Sequence, residues 1–309
     1  MEERFLTLRD GHRLFFRVWR SDGECKASLH LLHGMAEHSL RYDSFASYLN
    51  TLGITVYAQD HRGHGLTKEE DEKGWFAYKD GWMTIAQDSW QLDQVIMEEC
   101  QGVPHFLMGH SMGSFLARTV ATEHPAAFDA LIIMGSGASK GLLGKVGRTI
   151  ALRHVKKYGS KMPDHKLDKL SFGSYNRKVE NKRTPFDWLS RDPNEVDKYI
   201  ADPLCGFVCS SQFYADLVEG VETANDFSRM KKLRKNMPVL IISGDADPVG
   251  DYGKGINKIY KLYKKAGLED VTLRLIPGGR HEILNESDKK ETSEYIGSWL
   301  KKQIEAYDA

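Results

Sequence analysis

The segment His105–Gly113 reads H-F-L-M-G-H-S-M-G and sets a serine between two glycines in the spacing G-x-S-x-G. A short apolar run enters it, and an amphipathic stretch of helical length, from about Met112 to Glu123, leaves it. A tight strand-to-helix elbow crowds backbone against backbone, which is the steric reason for glycine at 109 and 113. Ser111 is then predicted at the tip of the elbow, its hydroxyl exposed beside a helix N-terminus that favours developing negative charge. A serine hydroxyl attacks poorly until a base takes its proton, and that base needs a carboxylate to orient it. His281, in a glycine-rich loop directly after the apolar run 271–276, is the candidate base. Asp245 and Asp247, in the loop after the run 239–243, compete for the role of acid.

Taken with L-H-G-M-A-E-H-S-L-R-Y at 32–42, A-Q-D-H-R-G-H-G at 58–65, G-D-A-D-P-V at 244–249 and G-G-R-H-E at 278–282, the chain resembles the α/β-hydrolases of the monoacylglycerol lipase and lysophospholipase group, also classed with serine aminopeptidase-like hydrolases. The resemblance runs over nearly the whole chain. It implies the order Ser, acid, His, and its G-x-x-D-x-V pattern places the acid at Asp247, leaving Asp245 to shape the turn. It also implies an oxyanion hole built from the N–H groups of Met112 and Met35, where side-chain identity matters little. Glu37 and Arg41 match positions that line the polar, glycerol-binding end of the pocket in these lipases; an ordinary i, i+4 ion pair explains them equally well. Where such lipases often carry a second histidine three residues after the catalytic one, this chain has Leu284, which weakens the case for glycerol-head specificity. His33, His61, His64 and His110 show no metal-ligand spacing and are expected to be structural, so neither a metal nor an organic cofactor is expected.

Positioning these groups requires a sheet. Two extended segments, 4–9 and 12–19, flank a turn at Asp10-Gly11. Apolar runs then recur at 27–32, 54–59, 105–108, 130–134, 239–243 and 271–276, separated mostly by amphipathic stretches. Strands buried on both faces and alternating with helices predict an α/β-hydrolase fold: a mostly parallel central sheet, antiparallel at its start, with helices on both faces. About a hundred residues separate Met134 from Val239, far more than a crossover needs, so an inserted, mainly helical cap is expected. The expected division is a core of 1–136 and 227–309 with a cap at 137–226. The cap is electrically polarised: residues 140–183 hold 13 Lys and Arg against 3 Asp and Glu, residues 184–226 hold 2 against 9. Either its halves pair with each other or the basic half meets an anionic lipid surface.

The 309 residues carry 43 basic and 43 acidic side chains, which argues against nucleic-acid binding driven by overall charge. The start, M-E-E-R-F-L-T-L-R-D, lacks the apolar stretch of a signal peptide, and no run is long enough to cross a bilayer. Cys25, Cys100, Cys205 and Cys209 lack zinc-finger or thioredoxin spacing and read as reduced thiols of a cytoplasmic protein. The expected reaction is hydrolysis of carboxylic esters with one acyl chain, of monoacylglycerol or lysophospholipid type, through an acyl-enzyme. A thioesterase, lactonase or aminopeptidase would use the same triad; a peptidase would add a carboxylate for the substrate's amine, with Glu180, Glu195 and Glu219 as candidates. A non-catalytic binder on this fold would typically lack the serine or the histidine.

Overall fold

The computed structural model describes residues 1–67 and 71–308. Eight strands form one sheet in the order β1-β2-β4-β3-β5-β6-β7-β8: β1 Glu2–Thr7, β2 Arg13–Trp19, β3 Ala27–Leu32, β4 Ile54–Gln59, β5 His105–His110, β6 Ala130–Met134, β7 Val239–Gly244 and β8 Val271–Ile276. β1 and β2 pair antiparallel, β2 joins β4 antiparallel, and every later pairing is parallel. The first turn is longer than Asp10-Gly11 alone. The register pairs Thr7 with Arg13, and Leu8 N–H donates to His12 O at 2.8 Å, so residues 8–12 form the loop and β1 ends two residues earlier than expected.

The inner strands β3 to β7 are buried along their whole length, which is why they read as unbroken apolar runs rather than alternating ones. Two apolar clusters cover the two faces. One packs Trp19, Phe45, Leu49 and Trp299 against the sheet, drawing on α1 Asp43–Asn50 and α10 Lys289–Tyr307. The other includes Trp82, Phe128 and Tyr263, with α2 Gly81–Glu99, α3 Met112–Glu123 and α9 Lys254–Ala266.

Between β6 and β7 lie α4 Leu142–Tyr158, α5 His165–Phe172, α6 Pro193–Ala201, α7 Ser211–Ala224 and α8 Phe227–Met230. This insertion is not a separately cored unit. Phe213, Tyr214 and Ala215 of α7 belong to the same buried cluster as α2 and α3. At its two ends the buried Arg118 of α3 reaches Asn225 Oδ1 at 2.9 Å and Ser136 Oγ at 3.3 Å, holding entry and exit together. No helix among the described residues is long and apolar enough to cross a membrane.

Candidate active site

β5 runs into Ser111, which adopts φ 53° and ψ −120° before α3 begins at Met112. A side chain rarely accepts that conformation, so the surrounding packing must hold it. A Cβ on Gly109 would collide with the Gly113 carbonyl, and one on Gly113 with the Leu32 carbonyl, so the elbow closes only with glycine at both places. Ser111 N–H donates to Met134 O at 3.0 Å, tying the elbow to β6.

His281 lies in the loop after β8, buried, with Nδ1 3.0 Å from Asp247 Oδ2. Asp247 is fully buried in the loop after β7. Its other oxygen accepts the Val249 N–H at 2.8 Å, and Ser243 Oγ donates to Oδ2 at 3.2 Å. Asp245 faces elsewhere: its carboxylate accepts the Gly278 N–H at 2.7 Å and ties two loops together. Ser111, His281, Met35 and Met112 line one cavity of about 500 Å³, whose far walls include Phe172, Trp188, Phe207 and Leu217 from the insertion. Trp188 tilts over the His281 ring at 5.0 Å between centroids.

Glu37 and Arg41 are placed differently from each other. Glu37 lines the main cavity, whereas Arg41 lines a neighbouring one of about 310 Å³. Glu37 Oε1 accepts from Gly34 N–H at 2.6 Å and Tyr42 O–H at 2.8 Å, and lies 3.2 Å from His110 Nδ1. Arg41 bridges Glu37 Oε2 at 2.7 Å and, with two nitrogens, the Glu282 carboxylate at 2.6 Å each. Glu37 and Arg41 are buried, and their partners favour the charged form of each against the cost of burial. Burial alone would raise Glu37, but His110 and Arg41 hold it well below the usual carboxylate range. Burial alone would lower His110, but Glu37 lifts it above the ordinary histidine value. His110 Nε2 sits 3.2 Å from the His281 carbonyl oxygen, so this charged network braces the loop that carries His281. The insertion braces the same loop from the other side: Glu282 N–H donates to Leu189 O at 2.8 Å, and Arg280 donates to the Ser190 and Asp187 carbonyls. The sequence reading passed over Glu282 and Tyr42. Both stand inside its motifs, directly after His281 and Arg41, and that adjacency was the available signal.

His33, His61 and His64 are buried together and engaged mainly with backbone. His33 Nε2 accepts the His61 N–H at 3.0 Å, and His64 Nδ1 lies 2.9 Å from Arg62 O. Burial lowers His61 to about 3 and His64 to about 4, so both rings are neutral near pH 7. The carboxylates considered for an amine do not reach the cavity: Glu195 pairs with Lys198 and Lys289, Glu219 with Arg148, and Glu180 is exposed.

The model of a known family, described as serine aminopeptidase, S33, matches residues 23–288 and so spans the elbow, both acid and histidine loops and the insertion. The chain belongs to the serine aminopeptidase S33 family. Among its relatives, the monoglyceride lipase of Mus musculus is 30% identical over 308 residues, covering 98% of this chain and 92% of that one. The monoacylglycerol lipase of Mycolicibacterium smegmatis is 28% identical, covering 94% and 93%. A solved carboxyl esterase from Bacillus coagulans, crystallised with glycerol, superposes with a TM-score of 0.90 at 28% identity over 98% of each chain.

Proposed function

We propose that this S33 hydrolase cleaves the ester bond of monoacylglycerols and of other single-chain acyl esters, lysophospholipids among them, with Ser111 as nucleophile. One observation carries the reading: the strained Ser111 elbow shares a largely apolar cavity of about 500 Å³ with the buried His281–Asp247 couple. Its relatives' names, monoglyceride lipase and monoacylglycerol lipase, support the ester class.

In this reading His281 takes the Ser111 Oγ proton as the oxygen bonds to the ester carbonyl carbon. The N–H groups of Met35 and Met112 hold the resulting oxyanion, and Asp247 stabilises the imidazolium. The C–O bond to glycerol breaks, and His281 returns the proton to the leaving alkoxide. Water then gives a proton to His281 and attacks the acyl-enzyme, releasing the fatty acid and regenerating Ser111. The acyl chain lies between core and insertion, along Phe172 and Leu217. Glu37 is held by Gly34, Arg41, Tyr42 and His110, so it supports the wall of the cavity.

The insertion supports contact with a lipid surface. Leu142, Leu143 and Val146 at the start of α4 and Leu170 on α5 are exposed, by 78%, 77%, 50% and 66%. Arg153, Lys156 and Lys157 on α4 are also exposed and form no ion pair among the described residues. Exposed apolar side chains and such cations on one insertion fit an anionic bilayer facing the cytoplasm, where we place the protein. A panel of monoacylglycerol, lysophosphatidylcholine, acyl-CoA and aminoacyl anilide tests the substrate class. The expected order of kcat/KM puts the two lipid esters first. A higher value on the anilide or the thioester would overturn it.

A further inference from the structure

His38, Asp202 and Cys205 meet where the insertion touches the loop before α1. Their ligand-capable atoms all lie within 4.8 Å of one another. His38 Nε2 is 2.8 Å from Asp202 Oδ2. The turn after α6 fixes the other two: Cys205 N–H donates to Asp202 O at 3.0 Å, and Leu204 N–H to Asp202 Oδ1 at 2.8 Å, leaving Oδ2 turned toward His38. His38 and Cys205 are buried, at 4% and 8% exposure, and Asp202 is half-buried.

The charge around the cluster suits a cation. Arg41 stands near, but Glu37 and Glu282 both hold it, and Asp202 adds a further negative charge. His38 and Asp202 also line the cavity of about 310 Å³ beside the site, which supplies an entry path. One imidazole nitrogen, one carboxylate oxygen and one thiolate make a donor set that calcium and magnesium, which take oxygen, do not select.

We propose that His38, Asp202 and Cys205 bind a zinc ion, with water as the fourth ligand of a tetrahedral site. The ion takes the place of the proton shared by His38 and Asp202 and displaces the thiol proton of Cys205; both protons leave to solvent. The position gives the ion a structural consequence. Gly206 N–H and Tyr199 O–H both donate to Ala36 O, at 2.9 and 3.1 Å, so the same seam already joins the insertion to the loop that holds Met35. Zinc there staples the insertion to that loop and raises the unfolding temperature. The proposal does not depend on the ester-hydrolase reading.

The test is titration of the full chain, stripped by a chelator, with Co²⁺ as a spectroscopic stand-in for zinc. One equivalent should give a thiolate-to-cobalt charge-transfer band and tetrahedral visible bands, all displaced by Zn²⁺. Cys205→Ser should abolish the charge-transfer band, while Cys25→Ser and Cys209→Ser leave it. Asp202→Asn, which keeps the turn and the polar contact, should weaken cobalt and zinc binding more than about tenfold. Ser111→Ala should bind like wild type, separating this claim from catalysis. Circular dichroism checks that each variant is folded, and Asp202→Asn carries the test should Cys205→Ser fail to fold. Absence of the band in wild type, its persistence in folded Cys205→Ser, or unchanged affinity in folded Asp202→Asn overturns the site.

Discussion

At the scale of single residues, two aspartates two positions apart have different jobs. Asp247 is fully buried and within 3.0 Å of His281 Nδ1, whereas Asp245 holds the Gly278 N–H. Asp247→Asn keeps the shape but replaces the anion that, in the proposed mechanism, orients and stabilises the imidazolium. Turnover of a soluble ester should fall by roughly 10³–10⁴. Asp245→Asn should retain activity and lose about 1 kcal/mol of stability from one weakened hydrogen bond. Steady-state kinetics and urea unfolding of the two variants read both effects, and a larger rate loss in Asp245→Asn would reverse the assignment. Part of this was legible in the sequence. Glycine spacing between an apolar run and an amphipathic stretch announces the elbow, because its steric demand is local. The choice between Asp245 and Asp247 came from a family pattern, since only the approach of two distant loops brings a carboxylate to His281. The Glu37–Arg41–Glu282 network could not be read for the same reason: Arg41 and Glu282 are 241 positions apart.

At the scale of elements, α7 packs on the start of α2 and buries Asp216 at 3% exposure. Gln212 donates to its Oδ1 at 2.8 Å, but Oδ2 has no hydrogen-bond partner among the described residues. Burial, aided by the Glu219 charge, pushes this carboxyl up to about 7. A native pKa above the unfolded value means the folded state keeps a proton that the unfolded chain has released. The stabilisation is therefore complete below about pH 4, the unfolded carboxyl pKa, and is lost progressively as pH rises toward 7. Asp216→Asn imitates the neutral form at every pH. Relative to wild type it should gain stability between pH 5 and 8, by on the order of 1.4 kcal/mol per unit of pKa difference. Urea unfolding at the two pH values measures it, and an equal Asn-to-Asp difference at both would show that Asp216 does not titrate in that window. The strands were legible as elements because full burial makes their apolar runs unbroken. The integration of α7 into the main core was not, because helical periodicity shows an apolar face without showing what covers it.

At the scale of the whole molecule, the polarised insertion resolves into two behaviours. Some of its opposite charges pair across the halves, as Arg148 does with Glu219 and Arg183 with Asp197. Arg153, Lys156 and Lys157, toward the C-terminal end of α4, remain exposed without an ion pair among the described residues. Reversing all three to Glu should slow monoacylglycerol hydrolysis in anionic vesicles severalfold, since each basic group near such a surface contributes about 1 kcal/mol. A short soluble ester should be hydrolysed as before, and high salt should imitate the reversal in wild type by screening. Equal losses on both substrates, or a vesicle rate indifferent to salt, would leave these cations with no part in lipid binding.

Ser111 carries the proposed ester chemistry, so the most direct measurement is of that oxygen. A fluorophosphonate should react with wild-type protein in one equivalent, seen in the intact mass and mapped to the peptide that holds Ser111. Ser111→Ala should stay unlabelled and lose monoacylglycerol turnover by about 10⁴ or more while keeping its fold. Labelling at any other residue, or a Ser111→Ala enzyme that keeps a tenth of the wild-type rate, would contradict the account.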